Sequence, residues 1–148
     1  LTAGADPNLR GQRGWTPLHC TAFCWSGADD SNVARHLIDK GADINSVEPK
    51  YGETPLHYAV RVAQSPTLTK MLLDAGANVD AQTKSKDTAL QFAASQRNHE
   101  MIELLLDAGA SKDIPNNVGV FPHQQASEDE RVQTLLSIDQ AIGDAEAD

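Results

Sequence analysis

The sequence predicts an all-α solenoid of short helical pairs stacked in a row, and three observations carry that prediction. First, Gly4-Ala5-Asp6-Pro7-Asn8 returns as Gly41-Ala42-Asp43-Ile44-Asn45 and Gly76-Ala77-Asn78-Val79-Asp80, then weakly as Gly109-Ala110-Ser111-Lys112-Asp113, at steps of 37, 35 and 33 residues. Second, Thr16-Pro17-Leu18-His19 returns between these as Thr54-Pro55-Leu56-His57, Thr88-Ala89-Leu90-Gln91 and a degenerate Phe121-Pro122-His123-Gln124, at steps of 38, 34 and 33 residues. Third, the segments between the motifs are too short for helices that hold alone in water, so neighbouring units must bury their apolar faces.

Each unit is legible locally. Thr followed by Pro starts a helix, because the hydroxyl caps free N–H groups and proline suits the first turn. First helices are expected from Pro17 to about Trp25 and from Pro55 to about Ala63. Second helices follow, such as Leu68–Ala75 and His99–Ala108, with Leu72, Leu73, Leu105 and Leu106 as core. Gly41, Gly76 and Gly109 stand where a left-handed C-cap is wanted. About a dozen polar, Gly-containing residues then lead to the next Thr, which suits a hairpin-like connection.

These two interleaved signatures resemble the ankyrin repeat, whose unit of about 33 residues is built as hairpin–helix–turn–helix. On that resemblance the chain is one all-α ankyrin-repeat solenoid. Residues 1–8 read as the end of a truncated repeat, 9–47, 48–82 and 83–115 as repeats, 116–143 as a degenerate capping repeat and 144–148 as an acidic tail. Ser26–Asn32 is expected to carry about four extra residues as a loop, the hairpin before Thr54 one more, and Gln64–Thr67 another. In the cap, Val132, Leu135, Leu136 and Ile142 share one face. Leu1-Thr2-Ala3-Gly4 reads as the tail of a helix, so the chain is expected to be part of a longer protein.

Composition excludes several classes. Apolar residues are 40% and charged residues 22% of the 148, so a core is available. No run approaches the roughly 18 apolar residues of a membrane span, and two cysteines do not make a disulfide scaffold. An intracellular setting, cytoplasm or nucleus, is expected. The net charge is −9, of which residues 116–148 hold −6 from seven acids against Arg131. Such a chain repels a phosphate backbone, and nucleic acid is not an expected partner.

Reactive constellations are equally scarce. His19, Cys20 and Cys24 share one short helix, but the second ligand pair of a zinc site is absent. The cysteines read as packing residues. His19 and His57 match the family's structural histidines, which bond neighbouring hairpin backbone. No phosphate loop, nucleophile elbow or metalloprotease signature occurs. The expectation is therefore a monomeric, non-catalytic module without cofactor or metal. The alternative is a regulatory or targeting domain cut from a larger protein that carries catalysis.

Recognition is the function that the resemblance implies, on a concave face made by hairpin tips and first helices. Carried over residue by residue, the partner-binding candidates are Arg13 and Trp15, then Lys50, Tyr51 and Glu53, then Lys84 and Asp87 on the hairpins. Phe23 and Arg61 follow near the ends of first helices, with Trp25 at the same rim. Aromatic residues and arginine are the usual interface anchors, so a protein or peptide with apolar anchors and acidic flanks is expected. Leu37…Asp43-Ile44-Asn45 also resembles a substrate pattern of asparaginyl hydroxylases, which makes Asn45 a modification candidate. The preferred reading of Asn45 is a turn residue satisfying local backbone.

Overall fold

Proline and threonine set the start of each unit in the computed structural model, which describes residues 5–136. Helix α1 (Pro17–Phe23) begins behind Thr16, whose Oγ1 accepts the His19 N–H; α3 (Pro55–Tyr58) repeats this with Thr54 and His57. Helix α5 (Ala89–Ser95) uses Thr88 and Gln91 in the same way. The partner helices are α2 (Ala28–Asp39), α4 (Pro66–Asp74) and α6 (His99–Asp107). A short 3-10 turn, Pro122–Gln124, stands for the first helix of the last unit, and residues 130–136 are helical after it. Among the described residues there is no strand.

The first helices line up in one row, α1 on α3, α3 on α5 and α5 on the 3-10 turn. The second helices form a parallel row, α2 on α4 and α4 on α6. One continuous core runs between the rows, with Leu18, Leu56, Leu68, Leu72, Leu90, Met101, Ile102 and Leu105 enclosed. Adjacent leucines do not share that fate. Leu73 and Leu106 are only half-buried at its edge, because consecutive helical residues point about 100° apart.

Two polar ladders tie the units together. His19 Nδ1 accepts the Thr16 N–H (3.2 Å), so Nε2 carries the proton and donates to the Glu53 carbonyl of the next hairpin at 3.0 Å. His57 does the same between Thr54 (3.0 Å) and Ala81 (2.9 Å). In the third unit Gln91 donates to the Ile114 and Val120 carbonyls. At the opposite edge Asn45 Nδ2 donates to the Gly76 carbonyl while its Oδ1 accepts the Asn78 N–H. Asn8 makes the same pair to Gly41 and Asp43. The local turn expected of Asn45 is made by Asp43, whose Oδ1 accepts the Asn45 N–H, while both carboxamide atoms of Asn45 bridge to the next unit.

The insertions fall elsewhere than the spacing suggested. Four residues, 24–27, separate α1 from α2, one more than between α5 and α6; the rest of the extra length makes α2 twelve residues long against nine in α4 and α6. Asp30 holds this start by accepting the Ser26 N–H and hydroxyl. The extra residue of the second unit lies not at Gln64–Thr67 but inside the first helix, where Ala59–Ala63 widens to a π-turn. An inserted residue is absorbed in this way without breaking the helix.

The cap is held by Asp129. It accepts the N–H groups of Arg131 and Val132 at the start of the last helix and pairs with His99 of α6 at 3.0 Å. Val132 and Leu136 are buried there and Leu135 is half-buried. Leu1–Gly4, Ile142 and the acidic tail at 144–148 lie outside the described residues.

Leu72→Ala and Leu105→Ala are expected to lose about 2–5 kcal/mol in urea unfolding, since each leaves a cavity in a closed core. Leu73→Ala and Leu106→Ala should lose clearly less. Burial holds the His19 and His57 imidazoles below their usual pKa of 6.5, so the unfolded chain takes up protons first. Stability should therefore fall as pH drops below about 6.5. His57→Gln, copying Gln91, should keep the carbonyl bond and flatten that part of the melting curve's pH dependence; an unchanged slope would refute the assignment.

Candidate functional site

The hairpins before the first helices are closed by Gly11 N–H to the Trp15 carbonyl, Thr83 to Asp87 and Asn116 to Val120. The second closes from Glu48 to Glu53 and so carries one residue more. The enlarged loop is filled by Glu48, 0% exposed, whose carboxylate accepts the N–H groups of Lys50, Tyr51 and Glu53 at 2.7–2.9 Å. Burial alone would raise this carboxyl; the three donors outweigh it and hold it below its usual value. Two glycines let the tips approach one another. A side chain on Gly14 (φ +72°) would strike Pro49, and one on Gly52 (φ +70°) would strike Lys84. Lys84 N–H donates to the Tyr51 carbonyl across that contact, and Tyr51 is 50% exposed.

The π-turn presents Arg61 to the same place. Its Nε and one Nη donate to the Glu53 carboxylate at 2.8 and 2.7 Å, and its guanidinium lies 5.3 Å from the Tyr58 ring centre and 5.8 Å from that of Phe92. The neighbouring hairpin completes an aromatic cluster. Trp15 meets Phe23 edge-on at 5.1 Å and Tyr58 at 5.2 Å, and Arg13 covers the Trp15 ring at 5.8 Å. Burial first, then the carboxylates of Glu53 and Glu48, raise the Tyr58 phenol above its usual pKa, so it stays protonated.

Two adjoining cavities open on this surface. One of about 550 Å³ is lined by Arg13, Trp15, Phe23, Glu48, Lys50, Tyr51, Tyr58 and Arg61. The other, of about 420 Å³, shares Lys50, Tyr51 and Arg61 and adds Glu53, Thr83, Lys84, Ser85, Asp87 and Phe92. Nine of the ten residues expected to meet a partner therefore line the pair. Trp25 does not; it packs half-buried against the core. Glu53, expected at the surface, is 4% exposed and committed to Arg61, whose guanidinium takes both carboxylate oxygens. Asp87 accepts the Asn116 amide. The acids of the groove are thus engaged from within. Lys50 lies over the Tyr51 ring at 4.7 Å, and the Lys84 ammonium donates to the Pro49 carbonyl.

Glu48, Tyr58 and Phe92 were not among the expected residues. Tyr58 and Phe92 sit at one repeat position, 34 residues apart on consecutive first helices. That recurrence of an aromatic ring was a usable signal. Glu48 had none, since a carboxylate folded into its own loop looks like any surface acid.

A row of helical pairs with a groove along its hairpin edge defines a class of repeat solenoid. The model described as "Ankyrin repeats (3 copies)" matches residues 1–83 and that described as "Ankyrin repeats (many copies)" matches residues 63–106. The chain belongs to the ankyrin repeat family, whose members are in general protein–protein interaction modules. It is 38% identical over 86 residues, 58% of its length, to the human SH3 and multiple ankyrin repeat domains protein 2. It is 35% identical over 117 residues, 79% of its length, to the human neurogenic locus notch homolog protein 1, and 34% identical to the mouse protein over the same length. The matched segments span only 4–5% of those proteins. No helix among the described residues is long and apolar enough to cross a membrane.

Glu48→Gln swaps one acceptor oxygen for a donor facing backbone N–H groups. It should cost about 1–3 kcal/mol and speed amide exchange at Lys50, Tyr51 and Glu53. Exchange unchanged at all three would show that the carboxylate does not hold the tip.

Proposed function

We propose that this chain is a non-catalytic recognition module that holds a protein or peptide partner in the groove between Arg13 and Lys84. One observation carries the reading: residues chosen by repeat position alone converge on two adjoining cavities walled by Trp15, Phe23, Tyr51 and Tyr58. Aromatic and arginine side chains supply most interface energy in such settings. The groove favours a partner with apolar anchors and acidic flanks. Its own carboxylates are bonded internally, while Arg13, Lys50 and Lys84 keep donors toward solvent. Nucleic acid is not part of the reading, because three or four cations do not offset a net charge of −9. The module acts as a monomer. An intracellular setting, cytoplasm or nucleus, suits the two free thiols, Cys20 and Cys24, which are exposed rather than packed as the sequence suggested.

A second reading rests on the lengths of the matched relatives, in which such a segment is a twentieth of the protein or less. In it the module regulates or targets a catalytic domain elsewhere in a larger protein. Asn45 is also proposed as a site for an asparaginyl hydroxylase. Its bridge to Gly76 and Asn78 must then open first.

Tyr51→Ala should weaken a captured partner by about 2 kcal/mol, roughly 30-fold, and leave unfolding unchanged within about 0.5 kcal/mol. Lys70→Ala, on the far row, should leave binding as it was. Calorimetric titration of the partner recovered with the unmodified chain reads both; affinity unchanged from the unmodified chain in both the Tyr51→Ala and the Trp15→Ala chain would remove the groove reading.

A further inference from the structure

The two cavities differ in chemistry, and the difference points to a particular kind of partner. The first has four aromatic walls, Trp15, Phe23, Tyr51 and Tyr58. The second has hydroxyls from Thr83 and Ser85 and cations from Lys50, Arg61 and Lys84. Its two acids are not available, since Glu53 is buried against Arg61 and Asp87 holds Asn116. Arg61 uses two of its five N–H groups on Glu53, and its side chain is 35% exposed. A planar edge of guanidinium donors, already fixed in place, is the group best suited to a carboxylate. A cationic side chain is disfavoured in the first cavity, because Arg13 and Arg61 already face the Trp15 and Tyr58 rings.

The distance between the cavities follows from the stacking. One lies between the first and second units and the other between the second and third, and helices pack about 8–10 Å apart. An extended chain of the polyproline II type advances about 3.1 Å per residue and brings every third side chain to the same face. We propose that the groove reads a short extended segment with a large apolar side chain and an acidic side chain about three positions apart. The apolar group enters the Trp15–Phe23–Tyr58 cavity and the carboxylate meets Arg61 and Lys84. The inference rests on the groove being the partner site and adds the chemistry and spacing of what enters it. Both one-residue insertions of the second unit serve it, one projecting Tyr51 and the other bringing Arg61 onto Glu53.

The test uses fluorescein-labelled nine-residue peptides with one Phe and one Asp in a Ser/Gly background. Phe and Asp stand one to five positions apart, in both orders, and fluorescence anisotropy is read against the full chain. Affinity should peak at a separation of three, about tenfold above one and five. Asp→Asn in the best peptide should weaken binding to the unmodified chain several-fold and to the Lys84→Gln chain much less. No binding by any peptide, a flat dependence on separation, or the same Asp→Asn loss in both chains would overturn the proposal. Tyr51-dependent capture of a protein partner together with any of those results would sink only this inference and leave the groove reading standing.

Discussion

Helices of four to twelve residues do not persist in water, so every part of this molecule depends on the contact between one unit and the next. Leucine burial supplies most of that contact, but it does not set register. The polar ladder does, because a buried imidazole or carboxamide must find its carbonyl or lose about 1–3 kcal/mol. His19, His57 and Gln91 each reach into the following hairpin, and each bond therefore fixes where a hairpin tip stands relative to the preceding helix.

Glu53 shows how closely stability and recognition are joined. Its carbonyl accepts both the His19 imidazole and the Glu48 N–H, its own N–H returns to the Glu48 carboxylate, and its side chain holds Arg61. The residue that secures the first unit to the second also positions the guanidinium between two cavities. Charge follows the same logic. Most of the chain's net negative charge lies after residue 115, and the acids within the groove are spent on backbone, arginine and asparagine partners. A strongly acidic chain thereby presents a locally cationic surface, and fields of this kind shape encounter and choice of partner more than affinity.

How much was legible depended on whether a feature repeats. Trp15, Tyr51, Lys84 and Asp87 could be placed from phase alone, since equivalent hairpin positions must return to the same edge. Departures from the repeat were less readable. The extra residues near Ser26 and Gln64 were visible as changes of step, yet the step does not say whether an insertion becomes a loop, a longer helix or a π-turn. Asp30 and the packing around Arg61 decided those outcomes. Glu53 misled for a related reason: the same position is half-buried in the hairpins of ordinary length, at Trp15, Asp87 and Val120, and the pair with Arg61 encloses it here.

The order of elements, their starts at Thr-Pro and the recurrence of the hairpin positions along one edge were determined by the sequence alone. These depend on short-range chemistry that recurs unit after unit. Only the tertiary structure decided that Leu73 and Leu106 lie at the margin of the core. It alone decided that Trp25 leaves the groove, and that Glu48, Tyr58 and Arg61 complete it. Those outcomes turn on which side chain meets which across neighbouring units, a matter of distance in space that spacing along the chain does not contain.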